Sequence, residues 1–196
     1  LLKHNGPIFD FDLVDNLIGI KNFKNMINFN TYPSLEAQIS AISDDIAYNN
    51  HDLEDGLRAG LFTIKEFSSR PYISKLINKH IKNIKNFRKE IIISQIVRDL
   101  INLMVVDVIN TTNKNLKKSN PQSIKDIYKQ DHLIVGFSNK MKVIDYQIKD
   151  FLKANMYNHK RVIVNTNKGK KILNELFKYL SKNSKRYINK DLFKSE

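Results

Sequence analysis

Asp44, Tyr48 and Asp52 recur at every fourth position within SLEAQISAISDDIAYNNHDLEDGLRAGLF, residues 34–62. This stretch holds six acidic residues, a tyrosine, a histidine and an arginine, in a chain otherwise dominated by Lys, Asn and Ile. On a helix that advances about 100° per residue, the three residues share one side. Ala37 and Ala41 lie on that side too, and small residues let a ligand or a second helix approach closely. Leu35, Ile39, Ile42 and Ile46 form a narrow stripe roughly opposite, which is expected to face the core.

Two readings of the acidic side stand open. It is a solvated helix face, or it holds a metal and a substrate. Solvated faces usually carry Lys or Glu with partners one turn away, whereas this one carries Asp, a mediocre helix former, with Tyr and Ala. Asp is a hard oxygen ligand suited to Mg²⁺ or Mn²⁺, and Tyr with Asp can hydrogen-bond a sugar hydroxyl or a phosphate. One carboxylate cannot hold a catalytic metal. The five histidines, His4, His51, His80, His132 and His159, form no HxxxH pair. In the His51–Asp52 pair, adjacent side chains point about 100° apart on a helix and are poorly placed to share an ion.

The elements that would position this face are helical. Gly6, Pro7, Gly19 and Pro33 punctuate residues 1–33, which read as loop with one or two short helices. A helix is expected over 34–50, with Ser34 as N-cap and Glu36 in the first turn, where the helix dipole favours negative charge. DLEDGLRAGLF is expected to begin a second helix, with Gly56 and Gly60 loosening it or allowing close backbone contact. Ile73, Ile77, Ile81 and Ile84 have helical spacing. A long core helix is expected over about 88–116, apolar on much of its circumference. Residues 120–137 look irregular, and two more helices are expected near 139–157 and 160–182. No alternating strand pattern and no repeat persists, so the chain reads as all-α.

A length of 196 residues suits one domain with a core, or a domain and an appendage. Apolar residues at 41% and charged residues at 27% give an ordinary globular balance. The absence of Cys excludes a disulfide framework and a thiolate metal site, and fits a reducing compartment. The first residues have neither the basic nor the apolar region of a signal peptide, and no stretch is long enough to span a membrane. These features lead to the expectation of a cytoplasmic protein with no membrane partner. The net charge of +13 admits nucleic acid or phosphorylated ligands. The lysines are scattered, however, as in the Lys-, Asn- and Ile-rich usage of an A/T-rich genome, and no aromatic RNA-binding motif accompanies them.

The block AQ…DDIAYNNHDLEDGLRAG resembles the last metal-ligand segment of the HD-domain deoxyguanosine triphosphate triphosphohydrolases, and most closely the bacterial dGTPase-like subfamily. LLKHNGPI is similar to the segment that precedes it there. VRDLINLMVVDVI and FLKANMYNHKRV are similar to the phosphohydrolase-associated helices that follow. The resemblance runs from residue 1 to about 180 and implies an all-helical fold. It divides the chain into the C-terminal part of an HD domain, residues 1–70, and an associated helical region, residues 71–196. It implies that Asp44 is the final ligand of an H…HD…D metal signature binding Mg²⁺ or Mn²⁺. It also implies that Tyr48 and Asp52 contact the deoxynucleotide and that Lys3 lies near the triphosphate. His51 belongs to the block without an assigned role.

The family reaction converts a dNTP such as dGTP, with water, to deoxynucleoside and triphosphate. The H…HD ligands precede this segment in the family and are absent here, so no catalytic residue is assigned. The family's closing segment, like DYIAGMTDRYA, is replaced by YINKDLFKSE. The chain is therefore expected to be a C-terminal piece, inactive by itself, that forms an oligomer or pairs with a complementary N-terminal chain. The other readings are a basic helical module that binds single-stranded nucleic acid, and a nonfunctional remnant.

Overall fold

The computed structural model describes residues 30–81 and 87–187, all of them helix, turn or loop. Helix α1 spans Leu35–Arg58. It is followed by α2, Ile64–Phe67, α3, Pro71–Ile81, and the 31-residue α4, Lys89–Ser119. Next come α5, Ile124–Tyr128, and α6, Asn139–Leu152. A π-helical turn covers Lys153–Tyr157, followed by α7, Lys160–Lys182, and α8, Ser184–Tyr187. The fold is all-helical, in agreement with the sequence. The chain divides into two compact units, residues 1–152 and 153–196. None of the described helices is long and apolar enough to cross a membrane.

The start of α1 is as expected. Ser34 caps it, its Oγ accepting the Ala37 amide at 3.4 Å, and Glu36 lies in the first turn. Its end is not: instead of stopping near residue 50, the helix continues to Arg58. The terminator is Gly60, whose φ of 66° is costly for any residue with a Cβ. The Leu61 amide donates to the Gly56 carbonyl at 3.0 Å and the Gly60 amide to Leu57 at 3.3 Å, the paired bonds of a Schellman turn. What looked like the beginning of a second helix is thus the last two turns of the first. The next helix, α2, starts at a capping box in which the Thr63 amide donates to Glu66 at 2.6 Å and the Glu66 amide to Thr63 Oγ1 at 3.2 Å.

In the first unit, α1 packs mainly along α4 and also against α6, while α3 packs on α4 and α6. Leu53 and Leu57 of α1 meet the core from one side; Ile92, Ile93, Ile96, Leu100 and Met104 of α4 meet it from the other. Phe151 of α6 closes one end of this core, edge-on to Phe62 at 4.8 Å and to Phe67 at 5.2 Å between ring centroids. Gly56 is buried where a Cβ would run into the Phe62 ring, so the second of the two readings, close contact, holds at this position. Ile73 and Ile77 are buried as expected; the Ile81 side chain, Ile84, and the loop-and-helix pattern of residues 1–29 lie outside the described residues.

The Leu35/Ile39/Ile42/Ile46 stripe needs correction. Only Ile46 is buried, Leu35 and Ile42 are partly exposed, and Ile39 is 50% exposed. Beyond Ile46 this side of α1 opens onto a groove shared with α4 instead of closing on the core. The chain also tucks a polar side chain into the same half of the helix. Gln38 is buried, donates to the Pro33 carbonyl at 2.8 Å and accepts the amides of Ile134 and Val135 at 2.9 and 3.0 Å.

In the second unit, α7 begins at His159, whose Nδ1 accepts the Arg161 amide at 3.3 Å, and none of its 23 residues is buried.

Candidate functional site

Helix α1 presents Asp44 and Tyr48 on its exposed side, with Tyr48 70% exposed and Asp52 one turn further on, partly covered. The sequence therefore placed these three on the correct side of the helix, away from Leu53 and Leu57. His51 is exposed on this side as well. Lys3 lies outside the described residues.

The lysine that reaches this part of α1 binds the neighbour of Asp44. Lys149 Nζ of α6 lies 3.1 Å from Asp45 Oδ2 and 2.9 Å from Asp145 Oδ2. Asp145 Oδ1 in turn accepts the Asn49 amide at 3.1 Å. Burial works to lower the Lys149 pKa, but hydrogen bonds and charge from Asp145 and Asp45 outweigh it and hold the ammonium above its ordinary value. This network fixes α1 to α6 within one turn of Asp44 and Tyr48. It was missed in the sequence because Asp145 and Lys149 lie about a hundred residues away. Asn49 did leave a signal, since an Asn–Asn pair at 49–50 falls in register with buried Ile46 and Leu53. Beside the network runs a cleft of about 210 Å³, with Ala41 and Asp45 on one wall and Phe137, Lys142 and Asp145 on the other.

Among the described residues, no three His, Cys, Asp or Glu side chains are grouped closely enough to hold a metal ion. Asp44 by itself does not fit a catalytic cation, which needs several oxygen or nitrogen donors. His80 is used elsewhere, its Nε2 lying 3.0 Å from Asp99 Oδ2 between α3 and α4. What the acidic face offers is one outward carboxylate, a phenol one turn away and a further carboxylate one turn beyond, on a helix whose other side packs on α4 and α6.

Residues 135–194 match the family model of the phosphohydrolase-associated domain. Together with the relatives described next, this match makes the chain a member of the HD-domain and HD-associated family. Within that family it is closely related to bacterial proteins named deoxyguanosinetriphosphate triphosphohydrolase-like. It is 49% identical to one from Pelagibacter ubique over all 196 residues, which cover 53% of that relative. Identity is 34% to a relative from Parvibaculum lavamentivorans, over 92% of the chain and 46% of the relative. It is 37% to one from Bartonella henselae, over 90% of the chain and 45% of the relative. The chain thus spans about half the length of the relatives it matches.

Proposed function

We propose that this chain supplies the substrate-side helix and the last metal ligand of a dNTP triphosphohydrolase, acting on dGTP or a related deoxynucleotide. Asp44 is the cation ligand, and Tyr48 and Asp52 hydrogen-bond the sugar and phosphate of the nucleotide. Lys3 neutralises triphosphate charge. Residues 1–70 belong to the HD domain and residues 71–196 to the associated helices. The observation that carries this reading is the spacing of Asp44, Tyr48 and Asp52 along one side of a helix that the Lys149 network joins to α6, in a chain 49% identical to a protein named deoxyguanosinetriphosphate triphosphohydrolase-like. An Mg²⁺ or Mn²⁺ ion would need further ligands from the remainder of such an enzyme, which would work in the cytoplasm.

On this reading the 196 residues do not hydrolyse dNTPs unaided. Incubated with Mn²⁺ and dGTP, the purified chain should release no triphosphate above background. Adding the portion of the Pelagibacter relative that this chain does not match, as a separate polypeptide, should restore release. Asp44→Ala should then return it to background, and Tyr48→Phe should raise KM more than it lowers kcat. Metal-dependent release by the chain unaided, or restored release indifferent to Asp44→Ala, would refute the assignment.

A second reading has its own observation. Helix α7 carries seven Lys or Arg residues against one Glu, with Phe177 and Tyr179 exposed among them. Such a helix suits single-stranded nucleic acid, through phosphate contacts and stacking. Binding that weakens steeply with salt and is lost in Lys171→Glu/Lys178→Glu, but is indifferent to Asp44→Ala, would favour it.

A further inference from the structure

The two adjacent carboxylates of α1 have different surroundings. Asp44 takes part in no hydrogen bond or ion pair among the described residues. Asp45 is engaged: Lys149 Nζ sits between its Oδ2, at 3.1 Å, and Asp145 Oδ2, at 2.9 Å. Two carboxylates thus share one ammonium, and the trio stays net negative. Asp145 is the more buried of the two, its side chain 13% exposed, and the Asn49 amide donates to its other oxygen at 3.1 Å. Lys142 lines the same cleft and pairs with neither carboxylate, so the charge between them is that of Lys149.

Two carboxylates facing one another across a gap suit a hard divalent cation. Mg²⁺ and Mn²⁺ are commonly held by one or two carboxylates, with water in the remaining positions. The distances from Nζ put the two Oδ2 atoms no more than about 6 Å apart. A cation bonded at about 2.1 Å needs them roughly 4 Å apart. The Asp45 side chain, 61% exposed, has room to swing that far. We propose that Lys149 is a positioning residue that acts by exclusion: its ammonium takes the place of a divalent cation between Asp45 and Asp145 and closes that pair to metal, beside the open carboxylate of Asp44. A lysine suits the task because its charge is compact and, being tethered to α6, is never diluted away. An unoccupied Asp45–Asp145 pair would compete for the ion one residue away from Asp44. That Asp44 is the carboxylate meant for the cation rests on the function proposed above; the exclusion at Asp45 and Asp145 does not.

The test is Mn²⁺ binding to the full 196-residue chain, by calorimetric titration and by thermal melts with and without about 10 mM Mn²⁺. Every variant carries Asp44→Ala, so that only the Asp45–Asp145 pair is read. Asp44→Ala should melt at the same temperature with and without Mn²⁺. Asp44→Ala/Lys149→Met should bind Mn²⁺ about tenfold more tightly, or better, and melt about 3–5 °C higher in its presence. Asp44→Ala/Lys149→Arg keeps a charge in the gap and should behave as Asp44→Ala. Adding Asp145→Asn to Asp44→Ala/Lys149→Met should abolish the gained binding. A lysine that only braces the helices predicts a lower melt on its removal and no response to Mn²⁺, and that result would overturn the proposal. So would Mn²⁺ binding to Asp44→Ala that Asp145→Asn removes, a gain as large with arginine as with methionine, or a gain that survives Asp145→Asn. Failure of Asp44 as a cation ligand is read separately, in the restored triphosphate release described above.

Discussion

Helices α4 and α7 are both long and rich in apolar residues, and they fare differently. α4 buries seven side chains, from Ile92 to Val108, whereas α7 buries none and exposes Leu173 and Phe177 by 66 and 73%. Their sequences suggest the reverse order of neatness. In α7 the apolar residues gather on one side and the lysines on the other, the pattern of a helix made to pack. In α4 they spread around most of the circumference. The contrast teaches that segregation shows which side of a helix wants cover, and nothing about whether cover is present. α4 is packed because α1 and α3 lie on it, and its surplus apolar surface stays exposed.

Truncations test this contrast with the largest expected effect. Leu57→Ala opens a cavity under α1 and should lower unfolding free energy by about 2–5 kcal/mol. Leu173→Ala should stay within about 0.5 kcal/mol, as at other exposed sites. Urea denaturation reads both, and equal losses would mean that α7 is packed in solution.

The two glycines sharpen the comparison at intermediate size. At Gly56 an added methyl meets the Phe62 ring, which is itself held edge-on to Phe151, so Gly56→Ala should cost about 1–3 kcal/mol. Gly169 in α7 has open space around it, and Gly169→Ala should stabilise the helix by roughly 0.5–1 kcal/mol. Opposite signs in thermal melts are the expected result.

Ion pairs give the smallest effect. Lys149 joins α6 to α1, whereas Lys171 and Glu175 in α7 are 4.0 Å apart on one exposed surface. Lys149→Met should cost up to about 1 kcal/mol and Lys171→Met only a few tenths. Because the folded-state pKa of Lys149 is raised, its contribution is complete below the ordinary lysine value of 10.5 and is lost as pH rises through the folded value. The stability difference between wild type and Lys149→Met should therefore be constant near neutrality and shrink above pH 10.5. A gap that persists there would indicate that packing of the lysine stem, and not its charge, ties the helices.

Much of this fold was legible. Ser34 and Glu36 announced the start of α1, and the isoleucine spacing announced α3. The long helix expected over 88–116 is observed at Lys89–Ser119, and the last expected over 160–182 at Lys160–Lys182. The errors have physical causes. A capping box at Thr63 and Glu66 starts a helix of four residues, too short for any periodicity to reveal. The end of α1 was misplaced because Gly56 reads as a breaker in sequence, while in the structure it is the residue that lets Phe62 approach. The helix expected at 139–157 is α-helical only to Leu152, and its last turn widens into a π form. At the candidate site the side of α1 was readable from spacing. The Lys149 brace was not, since only folding brings Asp45, Asn49, Asp145 and Lys149 together.

Gln38 has a consequence for motion. One amide side chain does the work of a missing backbone partner at three places, the Pro33 carbonyl and the amides of Ile134 and Val135. The entry to α1 and the loop before α6 are thereby bolted together through one side chain, beside the Tyr32 hydroxyl, which donates to the Asp131 carbonyl at 2.9 Å. Solvent exchange of the Ile134 and Val135 amides is therefore expected to follow fraying of a helix that begins a hundred positions earlier in the chain. A carboxylate in place of Gln38 could accept both amides but could not donate to Pro33. It would hold one side of the bolt and let the other swing.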